Sequence, residues 1–509
     1  MKLVIGITNT RDASLLSSFL DHIEQEERAI NVMVFCLNLR LKNYLEKRGD
    51  SRIKEIVADS ELHMICKNNN NGIPIKIKLK DKDKNFLARA DRYISYGYYP
   101  FTRVMRKNYT DKKFLEWNSY VESKFNLIYH KLKKFDSNYG LVFSMDNGLA
   151  IYNYLYFVFN ELNKKIFFHQ WLRVQGRVTI NDSIYYHDSR IEKLYHEIRT
   201  KANDQNSKLY SKSIDYMEKY IVSNKNSNSE TYGKQISKES VLFYQFIKSL
   251  LQPWRLKWII NSLIKYMREP KLMIFDRIDS ISIIIYRFRS WYYLVFFKKY
   301  FFENWRKEEF IYYPIHAEPE VSTLVHGNKY INQFSLLKRL ALISKRLNKK
   351  LYVKNHPYNY QNVPSEFVKK ILCIDNLFLI DHRTSGFDLM QKACLTVTNA
   401  GSGALECLYI GKKSITLSKT PFSGFENSPV KMVDDLTYDN IKKIVQLPTD
   451  DLKIKKKGLD WIITTFDKSN FNLFNNFNEY QNILIDDKNK RRSYFEFVTK
   501  SIKESQANY

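Results

Sequence analysis

The sequence predicts an α/β chain built on parallel sheets, and three observations carry that prediction. Apolar runs of strand length alternate with short helical patterns from Leu351 to Leu417, which implies parallel strands joined by right-handed crossovers. The chain also opens on a strand, a helix and a strand. Finally, its 509 residues exceed what one core fills, so two domains with additional helices are expected. A hydrophobic share of 44% with only 15 Gly and 11 Pro is the composition of a globular chain, not a disordered one.

Taken in order, KLVIGI (Lys2 to Ile7) is a buried type of strand. A polar turn, the amphipathic LLSSFLDHIEQEE and the strand NVMVFCL complete a βαβ opening. The turn from Thr8 to Ser14 lacks GxGxxG and carries no dinucleotide fingerprint. Asn9 and Arg11 in it are acceptor-side candidates, with a capped helix start as the alternative reading. Lys67 to Lys84 begins as a polar loop and then alternates, as an edge strand or hairpin would. Its Asp81-Lys82-Asp83 is flanked by lysines and reads as exposed turn chemistry, so no metal site is expected there. Phe101 to Phe135 is helical, basic and aromatic. GLVFSMDNG then predicts a strand delivering Asp146 and Asn147, where Asp146 is either a base for an acceptor hydroxyl or a helix N-cap. KIFFHQ (Lys165 to Gln170) is a further strand ending in His169-Gln170, with Arg177 beyond it. Asp146, His169 and Arg177 are expected together on the carboxyl edge of the first sheet.

A polar stretch from Asn203 to Lys238 closes a first domain of residues 1–240. Residues 241–305 differ from all before them, dense in Trp, Tyr, Phe, Lys and Arg. No uncharged run there reaches the ~18 residues of a spanning helix. These helices either lie in an anionic membrane interface or bury their aromatics against a domain. Residues 306–445 form the second domain, and residues 446–509, with the basic run from Lys488 to Arg492, form C-terminal helices.

The second domain holds the richest set of polar residues. LYVKNHP is a strand stopped by proline, LFLID a second, and LTVTN a third that ends in Ala400-Gly401-Ser402-Gly403 before the helix ALECLYIG. In parallel sheets ligands sit at the carboxyl ends of strands, often with a phosphate at a helix N-terminus. Lys354, His356, Asn399, Gly401, Ser402 and Glu406 all fall at that edge. They suit an anion or a nucleotide: Lys354 and His356 as charge or donors, Ser402 as a hydroxyl, Glu406 as a ribose acceptor. Ordinary turn and capping chemistry is the alternative for each of them singly.

Charge and cysteines narrow the function classes. With 82 basic against 54 acidic residues the net charge is +28, which suits nucleic acid, an anionic membrane or an acidic substrate. No helix-turn-helix, zinc-finger, RNP or KH signature is present, so nucleic acid is not an expected partner. The five cysteines (Cys36, Cys66, Cys373, Cys394, Cys407) are odd in number, scattered and without CxxC spacing, as reduced thiols of a cytoplasmic protein are. LVIGI is too short for a signal segment or a membrane span.

IYYPIHAEPE (Ile311 to Glu320), LYVKNHP and TNAGSGALECLYIGKKSITL together resemble the bacterial capsule and lipopolysaccharide glycosyltransferases. Within these they resemble the retaining β-Kdo transferases that use CMP-Kdo, and more distantly the sialyl- and polysialyltransferases. The likeness covers about a quarter of the chain, from Ile311 to Gly424. It implies a GT-B fold, two facing Rossmann-like domains with the nucleotide held by the second. Here the basic aromatic helical segment is inserted between them and the C-terminal helices cross back. It further implies a CMP-activated ulosonic sugar as donor, a glycan or glycolipid acceptor, no cofactor and no metal. Action at the inner face of the cytoplasmic membrane is expected. Glu320 lies where those enzymes place an acidic residue, as nucleophile or ion-pair stabiliser, flanked by His316 and Glu318; HAEPE replaces their glutamine- and aspartate-bearing version. The alternatives are a GT-B enzyme using another CMP-, UDP- or GDP-sugar, and a non-catalytic glycan-assembly protein.

Overall fold

The structure is a computed structural model. It describes residues 1–25, 29–68, 77–97, 111–143, 150–174, 176–185, 189–200, 208–226, 298–302, 308–316, 332–356, 365–381, 384–467, 470–473 and 484–507, with isolated positions between 244 and 296 and at 327 and 330. Two compact units divide the chain. The first comprises Met1–Ile94, Arg103–Asp188 and Thr465–Tyr509, the second Ser95–Thr102 and Ser189–Thr464. Each is a Rossmann-like sheet flanked by helices, the fold class expected from the sequence.

In the first unit the strands are β1 (Lys2–Ile7), β2 (Asn31–Cys36), β3 (Ile53–Ala58), β4 (Tyr139–Val142), β5 (Ile166–Trp171), β6 (Arg177–Asn181) and the short β13 (Phe471–Asn472). Their order is β13-β6-β5-β4-β1-β2-β3, parallel from β3 to β5 and antiparallel at β6 and β13. The connecting helices are α1 (Thr10–Glu24), α2 (Leu39–Arg48), α3 (Asp59–Asn68), α4 (Asp81–Gly97), α5 (Asp111–Phe135) and α6 (Ala150–Glu161), with α15 (Lys488–Ala507) at the end of the chain. Gly6 lets α6 approach β1 closely, because a Cβ there would fall 2.6 Å from Cε1 of Tyr152. Tyr494, Phe495, Val498 and Ile502 of α15 are buried in the same core as Leu16 and Phe19 of α1. Phe19 meets Phe495 edge-on at 5.3 Å, so the last helix completes the first unit.

One sequence expectation fails here. Asp81-Lys82-Asp83 is the first turn of α4, neither an exposed turn nor part of a hairpin. Two carboxylates in a first helical turn are favoured by the exposed N–H groups there, which outweighs the short alternation read before them.

In the second unit the strands are β7 (Phe310–Pro314), β8 (Lys350–Lys354), β9 (Leu377–Ile380), β10 (Leu395–Thr398), β11 (Ser414–Thr416) and β12 (Lys431–Met432), ordered β12-β11-β10-β7-β8-β9 and all parallel. Its helices are α7 (Ser189–Thr200), α8 (Lys208–Asn226), α9 (Gln333–Arg346), α10 (Ser365–Leu372), α11 (Gly386–Lys392), α12 (Gly403–Tyr409), α13 (Tyr438–Gln446) and α14 (Asp451–Phe466). Both sheet faces are covered: Ile311, Tyr313, Leu351, Val353 and Val397 pack on one side, Phe310, Tyr312, Tyr352 and Ile380 on the other. Covered faces explain why these strands read as unbroken apolar runs. Each buried aliphatic side chain contributes about 1.5–3 kcal/mol.

Helices α7 and α8 lie in the second unit, although α7 precedes the polar stretch Asn203 to Lys238 that the sequence suggests as a boundary and α8 falls within it. Tyr195 of α7 packs on Phe425 and Trp461 at ring distances of 5.9 and 6.1 Å, and Tyr220 of α8 meets Tyr409 edge-on at 5.3 Å. The basic aromatic segment 241–302 falls almost wholly outside the described residues. Among the described residues no helix is long and apolar enough to cross a membrane.

Candidate functional site

In both sheets the fourth strand lies on the opposite side of the first from the second and third. The switch point in the second unit is therefore between β7 and β10, and adjacent strands there deliver side chains at their carboxyl ends. β7 leads to His316, β8 to Lys354 and His356, β9 to Asp381, and β10 to Asn399 and Gly401.

His316 is buried and fixed from several sides. Gln333, at the start of α9, accepts the His316 backbone N–H at 2.8 Å and donates its amide to the His316 carbonyl at 3.1 Å. The ring Nε2 accepts the Asn399 backbone N–H at 3.0 Å, which leaves the ring proton of the neutral form on Nδ1. Gly401 is glycine because of this ring: a Cβ there would sit 2.6 Å from Cε1 of His316. Burial, helped by neighbouring His356, lowers the His316 pKa to about 3. That of His356 is lowered to about 4, by burial and then by Lys354. Both imidazoles are neutral at physiological pH, so among the described residues of this edge the positive charge rests on Lys354.

Lys354 donates Nζ–H to the Thr384 carbonyl at 2.8 Å. Burial lowers its pKa to about 8, against the opposing pull of Asp381 and Glu406. A Cβ added at Gly386, which opens α11, would stand 3.6 Å from Lys354 Nζ and 3.7 Å from the Tyr312 hydroxyl, so this helix start lies beside both groups. Glu406, one turn into α12, has its pKa raised by burial; hydrogen bonds from Ser402 and Tyr220 and the charge of Lys354 act in the opposite direction. The Ser402 Oγ–H donates to Glu406 Oε1 at 2.9 Å and leaves the backbone of α12 uncapped. The Tyr312 hydroxyl has its pKa raised by burial and by the nearby Glu406 charge.

The structure thus brings Lys354, His356, His316, Gly401, Ser402 and Glu406 to one strand edge. Asn399 is there too, but its side chain is spent on the scaffold: its amide donates to the Tyr330 carbonyl at 3.1 Å and its oxygen accepts Ser418 Oγ–H at 2.7 Å. Glu318, Glu320 and Asp146 lie outside the described residues. Sequence reading missed Tyr220, Tyr312, Asp381 and Gln333. A polar residue closing an apolar strand pattern, as Asp381 does after LFLI, is the one local signal that was available. Tyr220 carries none, since its helix is far away in the chain.

The first unit places its candidates differently. Asn9 caps α1, its Oδ1 accepting the N–H groups of Arg11 and Asp12 at 2.9 and 3.0 Å, and Arg11 is exposed. His169 is inside β5, not at its carboxyl edge. Its Nδ1–H donates to the Val142 carbonyl at 2.8 Å and its Nε2 accepts the Tyr494 hydroxyl at 2.5 Å, so it joins the sheet to α15. Burial lowers the His169 pKa to about 4. Arg177 opens β6, half-buried, with its guanidinium 5.0 Å from the Phe466 ring centroid. Among the described residues no group of His, Cys, Asp and Glu is arranged to hold a metal ion.

No protein-family model and no curated protein matches the sequence. Among solved structures the chain is similar to UDP-GlcNAc 2-epimerase from Methanocaldococcus jannaschii, with 11% identity, a TM-score of 0.22, and 90% of this chain and 98% of that one covered. It is also similar to a glycosyltransferase from Rickettsia africae, with 11% identity, a TM-score of 0.24 and 98% of each chain covered. The UDP-GlcNAc 2-epimerase from Neisseria meningitidis bound to UDP-GlcNAc is similar at 9% identity and a TM-score of 0.21, over 96% of this chain and 99% of that one. Likenesses at these scores decide neither fold nor chemistry, which rest here on the chain's own sheets and side chains.

Proposed function

We propose that the chain is a nucleotide-sugar-dependent glycosyltransferase whose second unit holds the donor at the carboxyl edge of its sheet. The observation that carries this reading is the convergence there of one cation, Lys354, two neutral imidazoles, His316 and His356, and a hydroxyl-held carboxylate, Glu406. A nucleotide sugar needs those chemistries: positive charge and donors for phosphate, and a carboxylate for a ribose diol. Phosphate binding would also favour the protonated form of His356, adding a second charge as the ligand arrives.

The motif resemblance supports a CMP-activated ulosonic sugar, Kdo foremost, passed to a growing surface glycan with retention. In that reaction the bond from the anomeric carbon to the phosphate oxygen breaks and the electron pair leaves with CMP. Glu320 forms the bond to the anomeric carbon, and the acceptor hydroxyl then displaces it, losing its proton to a base such as Asp146. A positioned cation at a departing phosphate is worth about two to three powers of ten in rate. A second reading, a transferase for another CMP-, UDP- or GDP-sugar, is favoured by the site itself, since nothing in this cluster selects a base.

Thermal unfolding with CMP, UMP, UDP and GDP tests both. A shift with CMP above the others supports the ulosonic donor, a shift with UDP or GDP supports the second reading, and no shift with any would overturn nucleotide binding. Intact-mass measurement with CMP-Kdo should show a sugar adduct that Glu320→Gln abolishes; an adduct on another carboxylate would remove Glu320 from the mechanism.

A further inference from the structure

A separate feature of the second unit lies away from the strand edge. Phe334, Lys338, Leu342 and Lys345 follow one another along a single face of α9, the face opposite to the buried Leu336, Leu337 and Leu340. Across from them stand Lys369, Lys370, Cys373, Ile374 and Asp375, at the end of α10 and just beyond it, and between the two walls runs an open groove of about 780 Å³. Leu342 is 61% exposed and adds apolar surface to this groove.

Charge and apolar surface are combined in this groove in a particular way. Four lysines face a single carboxylate, Asp375, and Lys345 already occupies it as an ion pair. Lys338 lays its Nζ 4.8 Å from the centroid of the Phe334 ring, so charge and apolar surface adjoin on this wall. Among the described residues, Lys369 and Lys370 have no acidic partner. A free phosphate would leave Phe334, Leu342 and Ile374 unused, and an apolar ligand would leave the lysines unused.

We infer that the groove between α9 and α10 docks the anionic phospholipid face of a bilayer. Lys338, Lys369 and Lys370 would meet headgroup phosphates while Leu342, Phe334 and Ile374 enter the interface below them. The +28 net charge of the chain supplies a long-range attraction of the same sign. The inference is independent of the transfer reaction proposed above, since no groove residue belongs to that site.

Cys373 allows a local readout, because it is exposed within the groove while Cys36, Cys66 and Cys407 are buried. In the full chain carrying Cys394→Ser, Cys373 is labelled with an environment-sensitive fluorophore and mixed with phosphatidylcholine vesicles with or without phosphatidylglycerol. The label should brighten and shift to the blue only with the anionic vesicles, and 1 M salt should reverse the change. Lys369→Glu combined with Lys370→Glu should weaken vesicle binding by tenfold or more, on the basis of roughly fivefold per lysine near an anionic surface. Lys338→Glu, on the other wall, should weaken it independently. A silent label on a protein that still sediments with vesicles, equal response to neutral vesicles, or unchanged binding by the charge reversals would overturn the proposal. So would an equal response to polyglutamate, which would make the groove a site for soluble polyanions.

Discussion

The imidazole of His316 accepts the backbone N–H of Asn399 at 3.0 Å, and this bond ties together the ends of β7 and β10 on either side of the switch point. It also selects the tautomer: with Nε2 accepting, the proton lies on Nδ1. The site is thereby built on one fixed ring, whose backbone is held by Gln333 and whose Cε1 edge faces Gly401.

Gly401→Ala follows directly from that arrangement. The new methyl would stand 2.6 Å from Cε1 of His316, so either the ring or the β10 end must move. Overpacking of this kind costs about 1–3 kcal/mol. The expected outcome is a lower urea midpoint together with a weaker nucleotide-induced thermal shift. A variant as stable as the wild type would show that the ring is not confined by Gly401.

On the proposed reading, Lys354 should make nucleotide binding depend on pH. With its pKa lowered to about 8, the ammonium is largely present at pH 7 and is lost as the pH rises past that value. Nucleotide affinity should accordingly decline between pH 7 and 9. Lys354→Met should bind about 10- to 100-fold more weakly at pH 7, as expected for a lost hydrogen bond to a charged group, and should lose the pH dependence. Titration calorimetry at the two pH values checks both. A Lys354→Met protein that binds like wild type would exclude Lys354 from the phosphate site.

Acid should destabilise the protein through its buried histidines. His169 and His316 titrate at about 4 and 3 in the folded chain, well below their ordinary value near 6.5. Between those limits the unfolded chain takes up protons that the folded chain refuses, so folding stability is complete above pH 6.5 and falls as the pH drops toward 4. From pH 7 to 5 each of the two contributes a loss on the order of 2 kcal/mol. Chemical denaturation across that range measures it, and His169→Phe should lessen the slope within the first unit. A stability that stays flat from pH 7 to 5 would mean that these rings are protonated inside the fold.

The amino-acid sequence read alone yields the alternation of strands and helices, because that alternation is written in local periodicity. LYVK, LFLI and LTVT are short apolar runs bounded by turn residues, and each became a strand. It also placed Lys354, His356, Ser402 and Glu406 at one sheet edge, since in a parallel sheet every strand ends on the same side. What it could not decide is the use to which a polar residue is put. His169 and His316 both follow apolar strand residues, and only packing makes one a strut between β5 and α15 and the other the floor of a site. Gly401 is glycine because of a ring 85 positions earlier in the chain, at His316. Tyr220 reaches Glu406 because α8 folds onto the second sheet, a contact without local sequence signature. Long-range partners of this kind are selected by burial and hydrogen-bond satisfaction in three dimensions, which no window of neighbouring residues encodes.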